Sequence, residues 1–153
     1  MTLTPILLTE ARMFLDADTA ADLMVANPIS LRGDAKVGEA TRLFTEKGIT
    51  AAPVIDDSGH PIGVLSRTDL LIHQAEIEKH RGQAPALANT AATVADLMTP
   101  AVFAVREDTP VKRVVSDMLG LHVHRLFVVD PNGTLVGIVT AIDVLKHLVS
   151  EAS

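Results

Sequence analysis

Two pairs of side chains in this sequence have the types and the spacing to hold a sugar and a phosphate. Ser66 and Asp69 lie in GVLSRTDL, residues 63–70, and Thr140 and Asp143 lie in GIVTAIDV, residues 137–144. A carboxylate can accept hydrogen bonds from ribose hydroxyls, as acidic residues do in dinucleotide-binding folds. A Ser or Thr at a helix start presents its hydroxyl beside backbone N–H groups that lack intrahelical partners, which is a natural seat for phosphate. Three-residue spacing puts the hydroxyl at the cap and the carboxylate one turn on, near the same face. The same pattern also describes an ordinary capping box, in which the two side chains only close the first turn of a helix. One residue can serve both roles.

His124 and Arg125 form a cationic pair just before an apolar stretch. Arginine offers a planar fork of donors suited to phosphate, and histidine adds a donor that strengthens on protonation. The plain alternative is a strand-edge histidine beside a solvated arginine. His122 and His124 stand two apart, but no further ligand accompanies them, so no metal site is assigned. Arg32, Arg67 and Arg106 could contact phosphate or simply face solvent.

The elements that must position these residues occur twice. Asp143 follows Asp69 by 74 positions, and the same shift aligns residues 19–71 with 93–145 without a gap. TAADLM from Thr19 meets TVADLM from Thr93. Arg32 meets Arg106, Asp56 meets Asp130, Gly59 meets Gly133, and Gly63 meets Gly137. Repeats at a fixed period mark one structural unit written twice. In each unit a threonine caps a short helix with an acid in its first turn. A short extended piece follows, over 28–32 or 102–106. A helix then opens at Asp34 or Asp108, with Pro110 suited to a first turn and apolar residues at helical period. Strands over 52–55 and 61–65, or 126–129 and 135–139, flank a Gly-containing turn and form a hairpin. Ser66 or Thr140 caps the last helix, over 67–73 or 141–149. The copies differ where it matters for charge. Thr50 and Ala51 stand where the second copy has His124 and Arg125, so the first lacks a basic pair, and its cleft is expected to bind weakly or to hold an uncharged ligand. Phe127 stands where the first copy has Pro53.

A unit of about 55 residues buries too little surface to be stable alone. The two copies are therefore expected to pack sheet to sheet on one shared core. The expected organisation is an N-terminal helical segment over 1–18, a first repeat over 19–73, a part-helical linker over 74–92 and a second repeat over 93–150. Gly63 and Gly137 are expected to let their strands approach a neighbour closely.

Composition narrows the function. The chain has 153 residues, 48% of them apolar, and no cysteine, which excludes disulfides and thiolate chemistry and is compatible with a cytoplasmic location. The net charge of −6 and the lack of a basic stripe argue against nucleic acid. No apolar run approaches the ~20 residues that span a bilayer. The N-terminus lacks a basic signal-peptide region and carries Glu10, Asp16 and Asp18, so neither a signal peptide nor a membrane partner is expected.

The pattern D-L-M, then an apolar strand ending in Asp, then G-x-x-S/T-x-x-D, present twice, resembles the cystathionine β-synthase (CBS) domain, which comes in tandem pairs called Bateman modules. The resemblance covers residues 19–150. It implies a mixed α/β (α+β) fold of two β-α-β-β-α repeats packed in pseudo-two-fold symmetry with two clefts between them. It further implies adenosine-containing ligands such as AMP, ADP, ATP or S-adenosylmethionine as regulatory ligands, no required cofactor and no catalytic residues. Ser66, Asp69, Thr140 and Asp143 match the family's phosphate and ribose positions, with Thr50 and Ala51 beside the first. His124-Arg125 resembles a pair in the gamma subunit of AMP-activated protein kinase that reaches phosphate, and by that likeness it points across toward a nucleotide whose ribose sits on Asp69. The expected function is a stand-alone sensor of an adenine nucleotide that signals to a separate partner protein. It is expected to dimerise through exposed helix faces that include Leu70, Leu71, Ile142, Val144, Leu145 and Leu148. The alternatives are a structural module with degenerate clefts and an S-adenosylmethionine binder. An enzyme ranks lowest, because no P-loop or nucleophilic cysteine is present.

Overall fold

A computed structural model of the chain describes residues 12–80, 91–100 and 102–150. The first repeat contains α1 (Ala20–Leu23), β2 (Val25–Ala26), β3 (Leu31–Arg32), α2 (Val37–Lys47), β4 (Ala51–Ile55), β5 (Pro61–Ser66) and α3 (Arg67–Lys79), after a short β1 (Met13–Leu15). The second contains α4 (Val94–Leu97), β6 (Ala104–Arg106), α5 (Val111–Leu121), β7 (Arg125–Val129), β8 (Leu135–Thr140) and α6 (Ala141–Lys146), followed by β9 (Leu148–Ser150). Each repeat has the β-α-β-β-α plan. β3 runs parallel to β4 and β6 to β7, while β4–β5 and β7–β8 are antiparallel hairpins.

Local chemistry accounts for these elements. Ala40 and Phe44 on α2, and Val114 and Met118 on α5, lie four apart and are buried, as one face of a helix requires. Gly48 ends α2 with φ 63° and His122 ends α5 with φ 55°, both left-handed. At the first hairpin turn the amides of His60 and Ser58 donate to Asp56 Oδ1 at 3.0 and 2.9 Å. Those bonds, His60's foremost, hold the Asp56 carboxyl below its ordinary value.

The packing differs from a single shared core. Among the described residues there are two buried clusters, and each repeat lends its first helix to the other. Ala20 and Leu23 pack among Val105, Val114, Leu126 and Val139 of the second repeat. Val94 packs among Leu31, Phe44, Val54 and Leu65 of the first. The backbone follows the same exchange. Ala20 N–H donates to the Thr109 carbonyl at 2.8 Å and Ala21 N–H to that of Glu107 at 3.0 Å; in mirror fashion Val94 donates to Ala35 at 2.8 Å and Ala95 to Gly33 at 2.9 Å. The next residues also cross. β2 pairs with β8, placing Val25 opposite Ile138, and Thr99 bonds both ways to Val64 at 2.9 and 3.0 Å. The 74-residue shift carries each of these contacts onto its counterpart, which is the pseudo-two-fold symmetry.

Gly63 and Gly137 sit where the crossing segments press on the hairpins. A Cβ on Gly63 would stand 2.7 Å from both Met98 Sδ and the backbone oxygen of Thr99, whereas the three atoms nearest a Cβ on Gly137 all belong to the side chain of Met24. Methionine can change rotamer, but the bonded backbone of Thr99 cannot easily yield. Gly63→Ala is therefore expected to cost about 1–2 kcal/mol of stability, in the range of overpacking, and Gly137→Ala less. Urea melts of both variants check this; a larger loss at Gly137 would rule out the backbone contact as the cause.

Three other expectations change. The segment 1–18 was expected to be helical, yet its described part forms β1, antiparallel to β9 with Met13 opposite Ser150; residues 1–11 lie outside the described residues. The last helix stops at Lys146 rather than 149, because residues 148–150 join that ladder and the Asp16 amide donates to the His147 carbonyl at 2.7 Å. α3 runs on to Lys79, so the linker region 74–92 begins helical, and residues 81–90 lie outside the described residues. Of the apolar residues expected on open helix faces, Leu71, Ile142, Leu145 and Leu148 are exposed, while Leu70 and Val144 pack against the two cores.

Candidate functional site

Both hydroxyl–carboxylate pairs fall at the junction where a hairpin strand becomes a helix. In the first, the Ser66 amide and hydroxyl donate to Asp69 Oδ2 at 2.8 and 3.0 Å, and the Asp69 amide donates to Ser66 Oγ at 3.2 Å. In the second, the Thr140 amide and hydroxyl donate to Asp143 Oδ2 at 2.8 and 2.9 Å, and the Asp143 amide returns a bond to Thr140 Oγ1 at 3.2 Å. These are complete capping boxes, so the structural role holds in both copies. In each pair Oδ2 takes all of these bonds and Oδ1 takes none. Asp143 is the one buried charged side chain among the described residues. Burying a carboxylate is costly unless its oxygens are bonded or wet. No polar side-chain atom among the described residues is both sealed from solvent and unbonded, so Asp143 Oδ1 opens to the surface.

The helix ends offer phosphate less than their sequence implies. The first amide of α3, on Arg67, donates to the Thr50 carbonyl at 2.7 Å, and that of α6, on Ala141, donates to the His124 carbonyl at 2.9 Å. Each hydroxyl already donates to Oδ2. A phosphate near these ends needs a cationic side chain.

The strand ladders decide which cations are near. Arg125 is directly opposite Thr140, and Ala51 is directly opposite Ser66; directly opposed residues share a face with Cβ atoms about 4.5–5.5 Å apart. Arg125 is half-buried, and its side chain has no hydrogen bond or ion pair among the described residues. Every other described arginine is exposed. Arg32 is engaged by Asp57 and Asp34, and Arg113 by Asp117 at 3.0 Å, while Arg67 and Arg106 lie open to solvent. His124 goes elsewhere: it lines an apolar groove of about 520 Å³ with Met118, His122 and Leu145, between α5 and α6, and Arg125 is not in its wall. Neighbours in an extended chain alternate faces, so the two side chains of the basic pair part company. Among the described residues no three His, Asp or Glu side chains gather as a metal site, and no helix is long and apolar enough to cross a membrane.

Ile29 and Phe103, which the sequence reading did not single out, are exposed on the two crossing segments. The signal was present as an apolar residue at the same offset in both copies.

Two repeats that exchange their first helices, each ending its hairpin in a capped hydroxyl–carboxylate turn, define a tandem-repeat module with paired, symmetry-related sites. The chain belongs to the CBS-domain family, whose model matches residues 20–76 and 94–150. It is 33% identical over 149 residues to the magnesium transporter MgtE of Thermus thermophilus, covering 94% of this chain and 30% of the transporter. Among solved structures it resembles Arabidopsis thaliana CBSX2 in complex with AMP, with a TM-score of 0.68 and 32% identity over 85% of this chain and 95% of that one. It also resembles the cytosolic domain of MgtE in complex with ATP, with a TM-score of 0.67 and 32% identity over 86% and 49% of the two chains. The chain spans less than two thirds of the length of the curated relatives it matches.

Proposed function

We propose that the protein is a regulatory module that binds an adenosine-containing nucleotide, AMP, ADP or ATP, in the clefts between its repeats and passes the change to a separate partner protein, with no catalysis of its own. The observation that carries this reading is Arg125, a half-buried residue whose side chain has no carboxylate partner, beside a capped helix end. Asp69 and Asp143 each keep one oxygen free for ribose hydroxyls, Ser66 and Thr140 hold those carboxylates in place, and Thr50 and Ala51 form the uncharged wall beside Ser66. His124 enters through its carbonyl, which anchors the start of α6. The likeness to CBSX2 with AMP and to MgtE with ATP supports the same ligand class.

Calorimetry with AMP, ATP, adenosine and S-adenosylmethionine tests the reading. Stronger binding of AMP or ATP than of adenosine is expected. Preference for S-adenosylmethionine would replace the nucleotide, and no binding at all would leave a structural module. Asp69→Ala and Asp143→Ala should each weaken AMP about tenfold at one cleft, the value of one charged hydrogen bond. Each should also lower stability by about 1 kcal/mol through loss of its capping box. Titration and thermal denaturation of each variant separate the two effects; lost stability with unchanged affinity would mean that the carboxylates only cap helices.

The module is also proposed to be a homodimer. Leu71, Ile142 and Leu145 are 62, 58 and 56% exposed, and apolar helix faces of this kind mark interaction surfaces. Light scattering at micromolar concentration is expected to give twice the chain mass, and a monomer would refute the assignment.

A further inference from the structure

Helices α5 and α6 carry an apolar face that their counterparts in the first repeat do not match. Two hollows adjoin on it and share Val115 and Leu119 in their walls. One, the groove of about 520 Å³ between α5 and α6, also takes in Met118, Leu145, His122 and His124. The other, of about 620 Å³, is bounded by Leu15 of β1 and by Lys112. Leu119, Ile142 and Leu145 are 70, 58 and 56% exposed. The 74-residue shift puts Thr41 at Val115, Thr45 at Leu119 and Thr68 at Ile142. Thr41 and Thr45 donate their hydroxyls to the carbonyls of Val37 and Thr41 at 3.0 and 2.9 Å. Leu71 and Ile72 are exposed on α3, but α2 beside them shows no large exposed apolar side chain. The charge of the second-repeat face is also distinct in a chain of net charge −6. No Asp or Glu lines either hollow; Lys112 is the one fixed charge, and His122 and His124 are the titratable groups. Asp117 of α5 is engaged by Arg113 at 3.0 Å and Asp143 of α6 by Thr140 at 2.8 and 2.9 Å. Arg125, Lys146 and His147 are outside these walls.

We infer, resting on the homodimer reading above, that this face of the second repeat meets the same face of a second copy, and that protonation of His122 and His124 separates the two. A two-fold interface is isologous, so the face must tolerate itself. It does: its middle is apolar, and it brings no carboxylates against one another, which would repel. The two hollows join across α5 into a surface suited to a protein partner, since a standard interface covers about 800 Å² on each side. Covering the groove takes both imidazoles out of water among apolar side chains, and burial disfavours the charged form. By the two-fold relation the partner's face supplies no carboxylate to meet them. Each imidazole is therefore neutral when covered and free to charge when the face is open. The dimer is whole above the ordinary imidazole range and is lost as pH falls through it. The general effect of acid has the opposite sign. The isoelectric point is about 5.4, so acidification removes net charge, which by itself favours association.

Analytical ultracentrifugation of the full chain at about pH 7.5 and about pH 5.7, on either side of the ordinary imidazole value, tests this. Four imidazoles per dimer, at roughly threefold each, are expected to raise the dimer dissociation constant about a hundredfold at the lower pH, with the circular dichroism unchanged. His122→Asn combined with His124→Gln is expected to stay dimeric at both; Asn keeps the left-handed backbone that ends α5. Leu119→Asp is expected to be a folded monomer at both. Thr45→Asp, at the matching place on α2, is expected to leave the dimer intact. A dimer that is no weaker at the lower pH, that weakens equally in the histidine double variant, or that survives Leu119→Asp overturns the inference while the homodimer reading stands. So does a dimer lost in Thr45→Asp. An unmodified protein that is monomeric at the higher pH overturns both and leaves the face to a different partner.

Discussion

Dividing the chain after residue 85 is expected to yield two pieces that are each unfolded alone and that fold together when mixed. The reason is the exchange of first helices. The first half would lose Val94, which is fully buried among Leu31, Phe44, Val54 and Leu65, together with the partners of the Ala35 and Gly33 carbonyls. The second half would lose Ala20 and Leu23, exposed 0 and 2%. Each piece would keep an open core and unpaired backbone groups, and a unit of this size has little stability to give up. Circular dichroism melts of the halves and of their equimolar mixture check this. Cooperative melting of either half alone would show that the borrowed helix is dispensable. Restoration only in the mixture would show that the repeats of the sequence are not the folding units.

Arg125→Ala is expected to lower affinity for AMP or ATP tenfold to a hundredfold and to leave adenosine almost unchanged. A hydrogen bond to a charged group is worth about 1.5–3 kcal/mol, and 1.4 kcal/mol is a factor of ten. The long-range field of a chain with net charge −6 opposes a phosphate only weakly, since physiological salt screens beyond about 8 Å; a contacting guanidinium outweighs it. Adenosine has no phosphate to lose. Paired titrations of the two ligands on unmodified and variant protein decide the point. An equal loss for both would mean that Arg125 supports the fold or the base pocket, and the nucleotide reading would lose its carrying observation. His124→Ala serves as the contrast. Its side chain lines the groove between α5 and α6, so AMP affinity should change far less than with Arg125→Ala.

The capping boxes at Ser66 and Thr140, the helices α2 and α5 and the two hairpins were legible because each depends on residues a few positions apart. Helical period, a Gly-containing turn and a hydroxyl three residues before an acid are local signals, and their recurrence at 74 residues made each one count twice. The same shift exposed the difference between Ala51 and Arg125, which no single copy could show. What those signals lack is any record of pairing between distant segments. β1 with β9, β2 with β8, and α1 and α4 each seated in the opposite repeat are long-range choices. They are settled by which apolar faces remain uncovered once the hairpins form, and a six-residue helix yields to a strand where a free edge is waiting. For the same reason the sequence could name Asp69, Asp143, His124 and Arg125 but not their states. That one oxygen of each carboxylate is taken by its own helix cap, and that His124 turns to the α5–α6 groove while Arg125 lies half-buried without a partner, follows from where the exchanged segments and the alternating faces of β7 come to rest in three dimensions.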